Sequence, residues 1–304
     1  MAGKPSVGLA LGGGFLRGTA NIGVLRVLKE EGIPVHMVAG SSAGSIVAAL
    51  CASGYSPERM EKIAVKLHFR DIFDYGSTLV NLLLIAGEFL AGFLHLPFPM
   101  RRPLGLMKGN KLEALVNKWV GRNRLFDDTE IPLGITAVDA RDGALVVFLS
   151  GKPLLRTVLP PEDVIIRGEP VARAVRASAA VPGLFEPVRL GERLLVDGGV
   201  RDNVPAYVLR RMGAEFVIAV DVGYDGREMR CPDNIIGVLS QSLDIIASEG
   251  INLKLEEHAD VVIRPVIRNM GPWDFDKIKY CIRQGEQAAA AAVDGIKRQL
   301  NGGR

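Results

Sequence analysis

Cysteine is scarce in this chain: the three that occur, Cys51, Cys231 and Cys281, lie far apart in the sequence. An odd number of cysteines without Cys-x-x-Cys spacing argues against a disulfide framework or a structural zinc site, and is typical of a reducing compartment. An excess of one charge is also lacking, since 37 basic and 34 acidic side chains leave a net charge of +3. Without basic runs interleaved with aromatic residues, the sequence gives no indication of nucleic-acid binding.

The sequence has no apolar run of signal-peptide length near its start. The first apolar run, residues 6–11, is interrupted by glycines before it reaches the length of a signal peptide. We interpret this run as the first strand of the fold and expect a cytoplasmic protein. A length of 304 residues with 48% hydrophobic and 23% charged residues is typical of a globular protein with a large core.

Apolar strand patterns and helical patterns alternate along most of the chain. The strands are predicted at residues 6–11, 35–39, 131–138, 144–149, 193–196, 216–221 and 259–264, and the helices at 19–31, 43–52, 57–68, 108–120, 170–179, 205–212, 234–257 and 276–300. This alternation, without repeats or Gly/Ser linkers, predicts one α/β domain over residues 1–304 with a mainly parallel central sheet.

The Gly-x-Ser-x-Gly spacing of a nucleophile elbow occurs at Gly40-Ser41-Ser42-Ala43-Gly44. In such an elbow the serine occupies a tight turn between strand and helix, and the two glycines, here Gly40 and Gly44, avoid side-chain clashes. A predicted strand precedes the motif and a predicted helix follows it, so we predict that Ser42 is a nucleophile. The five-residue match alone also fits a glycine-rich turn without chemistry.

A second glycine loop, Gly12-Gly13-Gly14-Phe15-Leu16-Arg17-Gly18, joins the first predicted strand to the helix at 19–31. A dinucleotide site would need an acidic residue about 20 residues further on. At that distance, at the end of the second predicted strand, the sequence has Gly40, the first residue of the elbow, and not an acidic residue. Backbone N–H groups at a helix N-terminus beside a serine could bind the oxyanion of an acyl-transfer intermediate.

Asp197 ends the predicted strand 193–196 and is followed by Gly198 and Gly199. Its carboxylate would then lie at the carboxyl end of a strand, where open α/β sheets place their sites, and a desolvated carboxylate can serve as the base for a serine. Asp-Gly is also a common turn dipeptide. The chain order Ser42, Asp197, His258 further allows a Ser-Asp-His triad, although His258 also fits a polar turn before the last strand.

The glycine loop, the elbow and Asp-Gly-Gly, in that order, make the chain resemble the patatin-like phospholipases, especially their short bacterial members. Two further stretches carry the resemblance, Ala177-Ser178-Ala179-Ala180-Val181-Pro182-Gly183-Leu184-Phe185 and Trp273-Asp274-Phe275. The resemblance implies a three-layer α/β/α fold and a serine lipid acyl hydrolase of the phospholipase A or esterase type. Such an enzyme cleaves carboxylic ester bonds of phospholipids or acylglycerols through an acyl-enzyme, without a metal or cofactor.

By the same resemblance, Ser42 and Asp197 form a catalytic dyad that needs no histidine. Gly13 and Gly14 would form the oxyanion hole with Arg17 as its anchor, and the remaining motif glycines are Gly12, Gly18, Gly40, Gly44, Gly198 and Gly199. One departure is Phe15, which stands where the bacterial members usually have a fourth glycine. If that position needs a positive φ, phenylalanine imposes strain of about 1–3 kcal/mol. A catalytically impaired lipid-binding or regulatory protein is therefore the alternative.

Residues 78–98 form the most apolar segment, within a stretch at about 76–104 that we interpret as a cap or lid over an acyl pocket. A transmembrane helix is disfavoured, because Glu88 at mid-span would cost about 2.5 kcal/mol or more and Gly87, Gly92 and Pro97 weaken a helix. A helical hairpin buried in the core is the alternative. Arg101 and Arg102 follow and could meet lipid phosphates or merely be solvated. The resemblance implies a phospholipid or other acyl-ester substrate, and for this apolar segment we expect peripheral contact with the inner surface of the membrane.

Overall fold

The computed structural model describes residues 5–100, 102–150, 163–223, 235–271 and 273–302. Its strands are β1 Val7–Leu11, β2 Met37–Ser41, β3 Gly105–Met107, β4 Leu133–Asp139, β5 Leu145–Phe148, β6 Val164–Ile166, β7 Gly183–Phe185, β8 Val188–Leu190, β9 Arg193–Asp197, β10 Phe216–Val220 and β11 Val261–Ile263. Its helices are α1 Ala20–Glu30, α2 Ala43–Ala52, α3 Pro57–Ala64, α4 Phe69–Ile72, α5 Tyr75–Phe93, α6 Asn110–Val120, α7 Val171–Ser178, α8 Ala206–Met212, α9 Ile235–His258 and α10 Ile278–Leu300.

The central sheet has the strand order β11-β10-β1-β2-β4-β5-β6, with β9 and β8 attached beside β4. The neighbours from β11 to β4 are parallel, whereas β5 and β9 run antiparallel to β4. Strands β1, β2 and β10 are buried along their whole length. Burial on both faces is what parallel sheets require, and it explains their continuous apolar sequences. The predicted mainly parallel sheet is confirmed.

Helices cover both faces of this sheet. On one face the core combines alternate side chains of the strands with helices α1, α2, α3, α6, α7 and α10. On the other face the remaining strand side chains pack against α8 and α9. Helices α1 and α10 come close together because Gly23 and Gly285 have no side chain where each faces the other helix. The predicted three layers, helix, sheet and helix, are thus confirmed.

Some predicted elements differ from those observed. The helix expected at 57–68 ends at Ala64, and the separate short helix α4 follows. Strands β3, β6, β7 and β8, of three residues each, were not predicted, because so short a strand shows no alternation. Residue 234, the predicted start of α9, lies outside the described residues, as do Cys231 and Arg101.

The apolar segment at 78–98 forms most of helix α5 and the turn after it. Its large apolar side chains are exposed, with Phe89 at 82% and Phe93 at 80%, so the alternative of a hairpin buried in the core is wrong. Among the described residues, we find no helix with the length and apolarity that crossing a membrane requires.

Candidate active site

Ser42 and Asp197 are brought together by the strands on one edge of β4. Strand β2 pairs with β4 up to Ser41, which lies opposite Thr136. Strand β5 pairs with the other edge of β4. Strand β9 therefore pairs with the same edge of β4 as β2, just beyond the last residue of β2, and Asp197 lies opposite Ala137. The carboxyl ends of β2 and β9 therefore meet. Two residues that are 155 positions apart in the sequence become neighbours for this reason.

The side chains of Ser42 and Asp197 are joined by a buried hydrogen bond. The Ser42 hydroxyl donates to Asp197 Oδ2 over 2.7 Å, and the Gly199 N–H donates to Asp197 Oδ1, also over 2.7 Å. Ser42 is 9% exposed and Asp197 is 5% exposed. A carboxylate held within hydrogen-bond distance of a serine hydroxyl, and oriented by a third group, has the geometry of a nucleophile and its base.

The turn at Ser42 has the backbone of a nucleophile elbow. Ser42 adopts φ 49° and ψ −126°, a conformation that glycine adopts readily and other residues rarely. Its N–H donates to the Ser178 hydroxyl over 2.8 Å, and its carbonyl oxygen accepts from the Ser45 hydroxyl over 2.6 Å. Tertiary hydrogen bonds thus hold a strained residue at the end of β2.

The motif glycines lie where this site leaves no room for a side chain. A Cβ on Gly13 would be 2.6 Å from the Ser42 Cβ, and one on Gly198 would be 2.6 Å from the Ser41 hydroxyl oxygen. Close neighbours also surround the other motif glycines, Gly12, Gly18, Gly40, Gly44 and Gly199. The glycine loop, the elbow and the Asp-Gly-Gly turn therefore pack tightly around Ser42, against both main-chain and side-chain atoms.

The two predicted oxyanion-hole amides differ in their surroundings. The Gly13 N–H donates to Asn203 Oδ1 over 3.1 Å, and Asn203 Nδ2 donates back to the Gly13 carbonyl over 3.2 Å. The Gly14 N–H has no acceptor in the described part of the chain, so of the two it is the one left available to a ligand. Burial raises the pKa of the Cys281 thiol on α10 to about 12, and the nearby positive charge of the buried Arg17 opposes this shift. The oxyanion role of this loop stays a prediction.

Phe15 adopts φ 49° in the glycine loop. The condition for strain at the position of the missing glycine is therefore met, because a positive φ is costly for a non-glycine residue. The Phe15 ring packs edge to face against Trp273, with 6.4 Å between the ring centroids. It also lines the cavity beside Ser42. The aromatic contacts compensate for part of the strain.

The histidines lie away from Ser42. His258 precedes β11, and the following Asp260 binds Val217 near the beginning of β10. Since β10, β1 and β2 are parallel, the amino ends of these strands lie opposite the carboxyl ends where Ser42 is found. His36 is also at the amino ends, where its Nδ1 accepts from the Val7 N–H over 2.9 Å. His68 and His95 are exposed in the segment before and after α5. The Ser-Asp-His arrangement is not formed.

An apolar cavity of about 140 Å³, partly open to solvent, has Ser42 in its lining. Almost all of its lining is aliphatic or aromatic, and among the lining residues are Ile46, Met60, Leu112 and Phe185. From Thr78 onwards, where the side chains of α5 are described, no residue of this helix lines the cavity. Whether α5 acts as a lid therefore stays a prediction, while the apolar lining fits a hydrocarbon chain.

Two residues in the site, Ser178 and Asn203, were not predicted. Ser178 ends α7 inside the Ala-Ser-Ala-Ala-Val-Pro-Gly stretch, and Asn203 follows the Asp-Gly-Gly turn. A side chain that binds a distant backbone group leaves no recognisable residue spacing in a single sequence, even when it lies beside a motif. A buried polar residue beside a motif is the weak signal that could have indicated them.

Asp202 lies behind the site, between Asp197 and Asn203 in the turn, and is 2% exposed. Burial raises the pKa of its carboxyl group to about 6, against the opposing effect of Lys254, whose Nζ is 3.9 Å from Asp202 Oδ1. Within the described ranges, no group of three or more His, Cys, Asp or Glu side chains is arranged to hold a metal ion.

Comparisons with known proteins show which family the chain belongs to. The sequence model of the Patatin-like phospholipase family matches residues 9–210, which include the glycine loop, the elbow and Asp197. An uncharacterised NTE family protein of Mycobacterium tuberculosis is 29% identical over 312 residues, and the match covers 95% of this chain and 46% of the relative. A lysophospholipase of Meyerozyma guilliermondii is 27% identical over 304 residues, which cover 92% of this chain and 19% of that protein.

The chain thus spans less than half the length of these two relatives. Among solved structures, human GIVD cytosolic phospholipase A2 aligns with a TM-score of 0.48 and 11% identity, covering 98% of this chain and 60% of the other. The family model covers about two thirds of the chain and both residues of the buried hydrogen bond. The chain belongs to the patatin-like phospholipase family.

Proposed function

We propose that this protein is a serine hydrolase that cleaves carboxylic ester bonds of phospholipids or acylglycerols. The observation that carries the proposal is the 2.7 Å hydrogen bond from the Ser42 hydroxyl to Asp197 at one end of an apolar cavity. The family and the relative named as a lysophospholipase support a lipid substrate. The cavity would take the acyl chain and leave the ester group beside Ser42.

In the proposed reaction, Asp197 accepts the hydroxyl proton as Ser42 Oγ attacks the ester carbonyl carbon. The Gly14 N–H would stabilise the oxyanion that forms. The alcohol leaves with the proton from Asp197, and an acyl-Ser42 ester remains. Asp197 then takes a proton from water, whose oxygen attacks the acyl carbonyl carbon. As the ester bond to Ser42 breaks, Asp197 returns that proton to Ser42 Oγ, which releases a fatty acid and free Ser42. No metal or cofactor enters these steps.

A second candidate is a lipid-binding protein with an impaired site. Phe15 at a positive φ and the Gly13 N–H bound to Asn203 both favour it, because each departs from a glycine loop fully available to an oxyanion. It shares the acyl cavity with the first candidate but predicts lipid binding without turnover.

The test is hydrolysis of p-nitrophenyl esters of graded chain length and of phospholipid vesicles, with fluorophosphonate labelling of the same samples. Ser42→Ala should abolish turnover and labelling. Asp197→Asn should lower kcat by roughly 10²–10⁴-fold, the usual contribution of a general base. His258→Ala is the matched control and should cost little.

Lipid binding by a folded wild-type protein that neither turns over nor labels would favour the second candidate. Labelling at another residue with Ser42 unmodified would exclude Ser42 as the nucleophile. A loss with His258→Ala as large as with Asp197→Asn would exclude the two-residue mechanism.

A further inference from the structure

Residues 78–100 and 102–104 form an exposed apolar hairpin. Helix α5 is its first arm, and the chain after Phe93 returns along that helix. Phe98 packs against Gly87, and Arg102 Nε pairs with Glu88 Oε1 at 2.9 Å. At the base of the hairpin, the buried Asn81 side chain donates to the Gly105 carbonyl over 2.9 Å. The hairpin is therefore a closed unit attached to the body at its base.

Most of the circumference of α5 is apolar and faces outward. Exposed apolar residues recur at adjacent positions, including Leu79, Val80, Leu82, Leu83, Phe89 and Phe93. At 100° per residue, the exposed apolar side chains of α5 cover an arc of roughly 220°, about twice the stripe by which a helix packs on one neighbour. A second copy of the chain would cover one stripe and leave the rest in water. The hydrocarbon of a lipid layer would cover the whole arc.

The charges around this surface match an anionic lipid. Between residues 75 and 100 the one charged side chain is Glu88, which Arg102 neutralises. Exposed basic residues lie at the base of the hairpin, namely Arg70, Lys108 and Lys111. They outnumber the two acids found there, Asp71 and Asp74, which accept from the His68 and Asn110 backbone N–H groups and keep their negative charges. An apolar projection above a basic rim is the charge pattern of a segment that binds anionic membranes.

The base of the hairpin adjoins the cavity beside Ser42. Ile72 and Phe73 come just before α5, Leu112 comes just after the hairpin, and all three line the cavity. A lipid surface that receives the hairpin would therefore lie near the wall of the acyl pocket.

We propose that the hairpin of residues 78–100 and 102–104 docks this protein on the surface of an anionic lipid bilayer. The apolar side chains enter the acyl-chain region, and the basic rim stays among the headgroups. This inference does not rest on the proposed hydrolase activity, because it concerns binding alone.

The experiment measures sedimentation of the full chain carrying Ser42→Ala with vesicles of phosphatidylcholine, alone or mixed with phosphatidylglycerol. Binding should be stronger to the anionic vesicles and should weaken in high salt. The double substitution Phe89→Ser and Phe93→Ser should reduce binding about tenfold or more, since two apolar rings no longer leave water. The matched control is Leu253→Ser on α9, which changes a side chain that is 70% exposed and should leave binding unchanged.

Equal binding by the double variant and the control would overturn the proposal, as would a wild-type chain that does not bind vesicles. A wild-type dimer that the double variant converts to a monomer in sedimentation velocity would assign the surface to a second copy instead. Resistance to alkaline carbonate would show a membrane-embedded segment and also overturn docking. Hydrolysis of a short soluble ester by the double variant with Ser42 intact is a separate measurement, so a failed activity assay leaves the binding result standing.

Discussion

The strained turn at Ser42 makes a quantitative prediction about stability. We compare Ser42→Gly with Ser42→Ala. Both variants lack the hydroxyl that donates to Asp197, so the cost of leaving that carboxylate without its partner cancels in the comparison. What remains is the effect of one methyl group at φ 49° and ψ −126°.

Relief of the backbone strain favours glycine by about 1–3 kcal/mol. Glycine loses more conformational entropy on folding, which costs about 0.5–1 kcal/mol. The alanine methyl group, buried near Gly13, contributes at most about 0.8 kcal/mol. With strain near the middle of its range, the glycine variant should have the larger free energy of unfolding by about 1 kcal/mol.

The assay is urea unfolding followed by circular dichroism, with a common m value for both variants. A chain of this size shifts its Tm by only about 2 °C per kcal/mol, so denaturant is the more sensitive method. Ala49→Gly, in the nearby helix α2, is the control and should destabilise the protein by about 1 kcal/mol or more. If Ser42→Ala proves more stable than Ser42→Gly by about 1 kcal/mol or more, the strain is below the range of about 1–3 kcal/mol and the reasoning is refuted.

Three further predictions concern the surroundings of the site. Ser178→Ala removes the acceptor of the Ser42 N–H, so it should lower the free energy of unfolding by about 1–3 kcal/mol and slow fluorophosphonate labelling; an unchanged labelling rate would contradict a positioning role. Phe15→Gly should be more stable than Phe15→Ala by about 1 kcal/mol in urea unfolding, because both lose the ring and only glycine relieves the positive φ; the reverse order would show that the loop is relaxed. Burial raises the pKa of Asp202 from 3.8 to about 6, so between these values the folded state holds a proton that the unfolded state has lost. The free energy of unfolding should therefore fall as pH rises from about 4 to about 6, by up to about 3 kcal/mol, and Asp202→Asn should flatten this dependence; an identical pH profile for the variant would exclude Asp202 as its source.

The sequence by itself determined the elements and the local turns of this protein. Apolar runs and helical periodicity located β1, β4, β10 and α10 to within a few residues, because their hydrogen bonds and burial follow short periods along the chain. The glycine spacing indicated the elbow at Ser42, since a tight strand-to-helix turn excludes side chains locally. The missing glycine at Phe15 marked a position where a positive φ would be strained, but the sequence left the sign of φ open.

Only the tertiary structure decided which distant groups meet. The bond between Ser42 and Asp197 depends on β9 joining the edge of β4 where β2 ends, and no period along the chain encodes that register. The parallel pairing of β11, β10, β1 and β2 places His258 at the opposite end of the sheet from Ser42. The exposure of α5 also depends on whether neighbouring elements cover it. The hydrogen bonds within a helix, and the alternation of side chains along a strand, repeat at short intervals, so a stretch of sequence can predict them. The contacts between Ser42 and Asp197, and the exposure of α5, depend on how distant elements pack together.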